Sequence, residues 1–192
     1  MQKRIFSKLM RGMLFATTIF SLTACSDDAE PKVEDKFTTE YTFTTEFSTD
    51  LIKTADVKVY VLTPDGTVTE ETVTKDKNSW TFKGSSIPDK AAVMFEFDAK
   101  TNIPDGNYQL GYKAITTAKC LNNSDVFSFK SESSELSFTV PAGKLAAFYG
   151  TSLILAGEVN KDRAATVIDG SNIDFGLNGG IPRPPLGIGG GL

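Results

Sequence analysis

A strict alternation of side chains from residue 37 to residue 48 constrains the fold of this chain more than any other feature. Thr, Glu and Ser fill every second position, and the positions between them form a mostly aromatic set: Phe37, Thr39, Tyr41, Phe43, Thr45 and Phe47. A period of two over a dozen residues is typical of a β-strand with one buried and one solvent-facing side. We therefore predict a β-sheet with an aromatic inner face.

Further short strand patterns follow, separated by turn signals. Apolar alternation recurs at 57–61, 68–74, 80–82, 93–97, 108–114, 127–129 and 136–140. Turns are predicted at Pro64-Asp65-Gly66 and Pro104-Asp105-Gly106, because Pro fixes φ and Gly accepts a positive φ. About eight antiparallel strands at this spacing predict an all-β sandwich over residues 37–175, with a closed β-barrel as the alternative. The 68–74 strand is the more polar one and is predicted at a sheet edge.

Residues 145–159 are apolar but have no clear period. We predict a strand with a bulge there, and a short helix at 144–149 is the alternative; no earlier segment shows a convincing helical period. Tyr60, Leu62 and Met94 fall out of phase with the other apolar residues of their strands. This predicts that both faces of some strands are covered, with segment 145–175 as the cover, and the alternative is an apolar patch exposed for a partner.

The stretch from Val57 to Phe82 contains the patterns V-x-V-Y-x-x-x-P-D-G and W-T-F. It resembles the first hairpins of transthyretin-like and immunoglobulin-like extracellular modules, over less than half of the predicted domain. The resemblance implies a β-sandwich, in agreement with the strand spacing.

Residues 1–24 have the three parts of a secretion signal. A basic start is followed by an apolar stretch, 13–22, that is shorter than the about 20 residues a membrane-spanning helix needs. The run Leu22-Thr23-Ala24-Cys25 then matches all four positions of the lipobox, and so resembles that of bacterial lipoproteins. The resemblance implies cleavage before Cys25 and lipid attachment to this cysteine. The alternative is an ordinary signal peptide cut after Ala24.

An acidic segment follows the cysteine, and residues 25–36 are predicted to be a lipidated tether. In the lipoprotein sorting rule, the absence of Asp directly after the cysteine favours the outer membrane, and here Ser26 stands at that position. Asp27, Asp28 and Glu30 resemble the export signal of Bacteroidota surface lipoproteins, which implies display at the cell surface. At the other end of the chain, residues 176–192 are rich in Gly and Pro and are predicted to form a disordered tail.

Removal of the signal changes the charge of the chain. The four basic residues of segment 1–24 are lost, which leaves 16 Lys and Arg against 24 Asp and Glu, a formal charge of −8 instead of −4. A negative surface disfavours nucleic acid and anionic membrane as partners, and no nucleic-acid partner is expected. Of the two cysteines, Cys120 then has no disulfide partner and is predicted to be a small buried residue.

The residue types disfavour catalysis. The sequence has no His, which removes the usual general base of Ser and Cys hydrolases and the commonest metal ligand. Glu40 and Glu46 share one strand face but lie roughly 20 Å apart along it, too far for a glycosidase pair. The loop Asp169–Asp174 offers oxygen ligands for calcium, and an Asx turn explains it equally well. No catalytic, cofactor or metal residue is assigned.

These observations predict a lipid-anchored, non-enzymatic binding or structural module. We expect the module to be attached to the membrane through a lipid on Cys25. The sequence leaves open whether it binds a protein or a glycan. One alternative is a subunit or anchor of a surface fibre, since Bacteroidota fimbrillins are lipoproteins with transthyretin-like sandwiches. Another is a glycan-binding accessory lipoprotein, for which Trp80 is the one aromatic candidate.

Overall fold

The computed structural model describes residues 36–123 and 125–177. Within them lie nine strands: β1 (Phe37–Phe47), β2 (Ala55–Leu62), β3 (Val68–Val73), β4 (Lys77–Gly84), β5 (Asp89–Ala99), β6 (Asn107–Asn122), β7 (Asp125–Pro141), β8 (Ser152–Val159) and β9 (Ala165–Ile168). The same residues form two short α-helices, α1 (Thr49–Thr54) and α2 (Leu145–Phe148), and 3₁₀ turns at Ala142–Lys144 and Gly170–Asn172. The predicted signal, Cys25, the tether up to residue 35 and the tail from residue 178 lie outside the described residues.

The strands form two antiparallel sheets. Sheet A has the order β4-β1-β6-β7, and sheet B has the order β3-β2-β5-β8-β9. The predicted all-β sandwich is confirmed, and the closed-barrel alternative is wrong because both sheets end in open edge strands. The predicted edge position of the polar segment 68–74 is also confirmed, since β3 closes one side of sheet B.

The alternation in β1 places its aromatic side chains in the core as predicted. Tyr41, Phe43 and Phe47 are buried, and the ring of Phe47 meets two rings of β5 edge-on, with centroids 5.2 Å from Phe95 and 5.9 Å from Phe97. The main core is therefore an aromatic layer between the central strands of the two sheets.

A second apolar cluster lies on the outer face of sheet B. It contains the out-of-phase residues Tyr60, Leu62 and Met94 and the cover provided by Ile173 and Phe175. We call residues 169–177 the strap, because they cross this face. The prediction that segment 145–175 covers the face is thus confirmed for its last residues, and Leu177, in the predicted tail, also packs against the cluster.

Two short elements escaped the sequence analysis. Helix α1 begins after Ser48, whose Oγ accepts a hydrogen bond from the amide of Leu51 at 3.3 Å. Its six residues are too few to show a helical period. Strand β9 has only four residues and pairs with the end of β8.

Two strand predictions were wrong in their limits. Segment 145–159 is not one bulged strand: it forms α2 and then β8, as the helix alternative had it. The pairs at 127–129 and 136–140 belong to one strand, β7, and not to two. Both faces of β7 are exposed between these pairs, so the residues there are polar. The alternation of apolar and polar residues that would reveal a strand is therefore missing.

Candidate functional site

The lipid-attachment residue predicted from the sequence, Cys25, lies outside the described residues. The other cysteine, Cys120, is on the core face of β6 opposite Thr39 and is completely buried. Burial raises the pKa of the Cys120 thiol, which makes it a poor nucleophile at neutral pH. The prediction of a small buried residue is confirmed.

The Asp169–Asp174 loop uses its carboxylates for backbone hydrogen bonds. Asp169 Oδ1 accepts from the amide of Ser171 at 3.0 Å, and Asp174 Oδ1 accepts from the amide of Gly176 at 2.7 Å. These are Asx turns that shape the start and the middle of the strap. In the part of the chain that the structure describes, no three His, Cys, Asp or Glu side chains form a group that could hold a metal ion.

Glu40 and Glu46 lie on the outer face of sheet A, as the alternation predicts. Lys119 Nζ donates to Glu40 Oε1 at 2.8 Å, and this hydrogen bond holds the pKa of Glu40 below its usual range. Glu46 pairs with Lys77 at 3.3 Å, with both side chains largely exposed. Glu40 also lies 3.9 Å from Lys83, so both carboxylates are paired with lysines and form part of a charged sheet surface.

Trp80 is partly buried and packs against the core of the sandwich. Its ring meets Phe95 edge-on with centroids 5.5 Å apart, and its Nε1 donates to Glu71 Oε2 at 3.5 Å. The residue joins β4 of sheet A to β3 and β5 of sheet B, so it braces one side of the sandwich.

A buried carboxylate that the sequence analysis did not single out links the two sheets. Asp89, at the start of β5, is 8% exposed. Its Oδ1 accepts from the Tyr41 hydroxyl at 2.5 Å, and its Oδ2 accepts from Thr39 Oγ1 at 2.6 Å. Tyr41 and Thr39 stand two residues apart on the inner face of β1, so one side chain of sheet B binds two of sheet A. We call these three residues the Asp89 clasp.

The surroundings of the clasp suit a structural role. A cavity of about 290 Å³ lies beside it, lined by Pro88, Asp89, Lys90 and Glu158. Both oxygens of the carboxylate are already hydrogen-bonded, and burial together with the nearby carboxylate raises the pKa of Tyr41 far above its usual range. At neutral pH the pair is a fixed phenol–carboxylate hydrogen bond, which does not offer a base or a nucleophile to a ligand.

The outer face of sheet A is a regular polar surface. Strand register aligns two central rows across β4, β1, β6 and β7: Thr81, Thr42, Thr117 and Ser131, and beside them Ser79, Thr44, Ile115 and Ser133. A row of mixed charge borders them on each side, one with Lys83, Glu40 and Lys119 and the other with Lys77, Glu46, Lys113 and Glu135. The face thus combines seven hydroxyl groups with charges that largely compensate one another.

Exposed apolar side chains concentrate on β7. Val126, Phe127 and Phe129, near its start, are 58%, 53% and 57% exposed, and Phe138, near its end, is 39% exposed. The alternation predicts an ordinary strand pair at Phe127 and Phe129. Phe127 is instead the extra residue of a β-bulge, because Cys120 pairs with Ser128 while Leu121 pairs with Val126. Phe129 pairs regularly with Lys119 on the outer face of sheet A.

The sequence was compared with protein-family models and with curated proteins. No protein-family model matches the sequence, and no curated protein matches it significantly. Among the helices described, none is long and apolar enough to cross a membrane. The N-terminal motif and the surfaces of the sandwich are therefore the features that bear on function.

Proposed function

We propose that this chain is a lipid-anchored protein of the bacterial outer membrane, displayed at the cell surface, whose β-sandwich is a non-enzymatic binding or structural module. The observation that carries the proposal is the run Leu22-Thr23-Ala24-Cys25, which follows a basic and then an apolar segment. A lipoprotein cysteine carries more than one acyl chain. Each buried methylene contributes about 0.8 kcal/mol, and more than one chain is needed for stable anchoring.

The chemistry of the described residues supports a module without catalysis. The chain has no His to act as a base, the thiol of Cys120 is buried with a raised pKa, and the carboxylate of Asp89 is held by two hydroxyl groups. What the sandwich offers a partner is surface, chiefly the outer face of sheet A and the start of β7.

Two observations favour this proposal over its rivals. The ring of Trp80 is partly buried and packs on Phe95, which disfavours its use as the exposed ring that a glycan-binding accessory protein needs. Both edges of sheet A carry charged side chains: Lys77 and Lys83 on β4, and Lys130 and Glu132 on the core side of β7. Charges on edge strands oppose pairing with another strand, which disfavours a fibre subunit built by strand addition.

The anchor is tested by metabolic labelling in the producing bacterium with a palmitate analogue. The wild-type chain and Cys120→Ala are expected to take up the label and to sediment with membranes, whereas Cys25→Ala is expected to lose the label. Cys120→Ala is the matched control because it removes the only other thiol. Labelling of Cys25→Ala would contradict the proposal, and so would an unlabelled wild-type chain.

Display is tested separately by adding a protease to intact cells. The sandwich of the wild-type chain is expected to be degraded while a periplasmic marker stays intact. Protection until the outer membrane is opened would contradict surface display and would leave the anchor itself unaffected.

A further inference from the structure

We propose that the sandwich rests on the lipid surface to which it is anchored, with Val126, Phe127 and Phe129 of β7 in contact with the lipid. The proposal rests on the lipid anchor at Cys25 and adds an orientation for the module. We call the end of the sandwich that holds these residues and the start of β1 the hairpin end. The opposite end, which holds α1 and α2, is the helix end.

The exposure of these three side chains is the first observation. Each leaves more than half of its surface open, and they follow one another at the start of β7 with the bulge at Phe127. Large apolar side chains that cluster in solvent mark a surface that contacts a partner or a membrane. Single exposed residues need no such explanation, but three within four positions do.

The place where the chain joins the sandwich is the second observation. Phe37 is the first residue of β1, and its ring meets that of Phe127 edge-on with centroids 5.6 Å apart. The first described residue, Lys36, directly precedes Phe37 and so lies at the end of the sandwich that holds the patch. The eleven residues 26–36 reach at most about 40 Å when fully extended, so an anchored Cys25 keeps the start of β1 within about that distance of the lipid.

The length of β7 separates the two ends. From Phe127 to Phe138 the strand rises roughly 35 Å. In an upright sandwich, Phe127 and Phe129 can touch the lipid while Phe138 stays well away from it. Phe138 is thus a natural control: it is the same residue type, it lies on the same strand, and it is partly exposed.

The charges at the hairpin end are mixed. Lys36, Lys161 and Arg163 lie there, with the guanidinium of Arg163 3.9 Å above the ring of Phe37, and so do Asp125 and Asp162. Three basic against two acidic residues give little electrostatic attraction, so the contact is expected to depend on apolar insertion and to form on neutral phosphatidylcholine.

A lipid surface fits this patch better than a second copy of the chain. If the β7 edges of two copies paired, the Lys130 and Glu132 side chains of both copies would lie at the new interface, beside the bulge. Charged side chains on the core side of an edge strand, and bulges, both oppose such pairing. The lipid, by contrast, is brought to the patch by the covalent anchor itself.

The orientation is tested by tryptophan quenching on vesicles. The protein used is the chain from residue 25 onward, which retains every described residue, with Trp80→Phe to remove the native tryptophan signal. Its Cys25 thiol is coupled to a maleimide lipid in phosphatidylcholine vesicles whose acyl chains are brominated. Coupling is selective because Cys120 is buried. The variants Phe127→Trp and Phe129→Trp are expected to shift their emission to shorter wavelength and to be quenched by the bromine. The control Phe138→Trp is expected to show neither effect.

The outcomes separate this proposal from that of the anchor. Absence of quenching at all three positions would overturn the orientation, and so would equal quenching at Phe138→Trp. A dimer of the uncoupled chain in light scattering that shields Phe127→Trp would assign the patch to a second copy. Because the coupling is chemical, none of these results depends on acylation of Cys25 in cells, which the palmitate experiment tests by itself.

Discussion

The hydroxyl of Tyr41 lies 2.5 Å from Oδ1 of Asp89 and donates a hydrogen bond to it across the interface of the two sheets. Tyr41 belongs to β1 in the middle of sheet A, and Asp89 opens β5 in the middle of sheet B. The bond therefore ties the centres of both sheets together at the hairpin end, where the patch on β7 also lies.

Loss of this bond is expected to destabilise the fold. Tyr41→Phe keeps the buried ring but leaves Oδ1 of the carboxylate without its hydroxyl, and hydrogen bonds to charged groups contribute about 1.5–3 kcal/mol. We expect the free energy of unfolding in urea to fall by that amount. The control is Tyr108→Phe, whose hydroxyl donates to the carbonyl of Pro104 at the surface. An equal loss of unfolding free energy in the control would show that the clasp stabilises the fold no more than a surface hydrogen bond does.

Tyr41 also predicts that the free energy of unfolding depends on pH in the alkaline range. Because the folded protein raises the pKa of Tyr41, the phenol stays protonated where the unfolded chain, with a pKa of about 10, has lost its proton. Its stabilising effect is complete below about pH 10 and declines above it, with a slope of at most about 1.4 kcal/mol per pH unit. Between about pH 10 and 11, the stability of Tyr41→Phe is expected to fall less steeply than that of the wild type. Parallel curves would contradict this assignment.

The Glu40–Lys119 pair predicts a small effect at acidic pH. The lowered pKa of Glu40 means that its contribution is present above the unfolded value of about 4.3 and is lost as the pH falls through the folded pKa. Glu40→Gln is expected to lower the free energy of unfolding at pH 7 by less than about 1 kcal/mol, since the pair is partly exposed. The difference from the wild type is expected to shrink as the pH falls below the unfolded value and through the folded pKa. Glu46→Gln, which breaks a more exposed pair, serves as the control and is expected to have a smaller effect.

Gly84 is predicted to tolerate no side chain. A Cβ there would lie 2.0 Å from Asp89 Oδ2 and 2.4 Å from Thr39 Oγ1, so Gly84→Ala would push two members of the clasp apart. Overpacking of this kind typically costs about 1–3 kcal/mol. Gly143→Ala is the matched control, because a Cβ at that position meets nothing within 4 Å. Thermal unfolding of both variants checks the prediction, and equal midpoints would contradict it.

The strap is predicted to be an integral part of the fold. Phe175 is 4% exposed on the outer face of sheet B, and replacing a buried Phe with Ala typically costs about 3–5 kcal/mol. Phe175→Ala is therefore expected to lower the urea midpoint strongly and to increase the binding of a hydrophobic dye. Phe127→Ala, at an exposed position, is expected to leave the midpoint nearly unchanged. A neutral Phe175→Ala would mean that the strap does not cover the second cluster in solution.

The sequence predicted the features of the fold that depend on local patterns. Period two in β1 gave the buried aromatic face, and the positive φ of Gly66 in the first Pro-Asp-Gly turn follows from its residue type. The second cluster could also be predicted, because Tyr60 and Met94 are apolar residues out of phase in strands that are otherwise regular. These signals lie within a few residues of one another along the chain.

The features that the sequence did not predict depend on distant partners. The clasp joins residues that are 48 and 50 positions apart, and nothing around Asp89 distinguishes it from a surface carboxylate. The exposure of Phe127 arises from a bulge, and that of Phe129 from its place on the outer face of the edge strand β7. Neither is visible in an alternating pair of phenylalanines. Helix α1 depends on a single capping serine.

The mass of the N-terminal peptide of the protein purified from its own membranes shows whether the chain is lipid-anchored. We expect a peptide that begins at Cys25 and carries a diacylglycerol and a further acyl chain, with residues 1–24 absent. A peptide that begins at Cys25 without lipid, or one that retains residues 1–24, would contradict the lipid anchor.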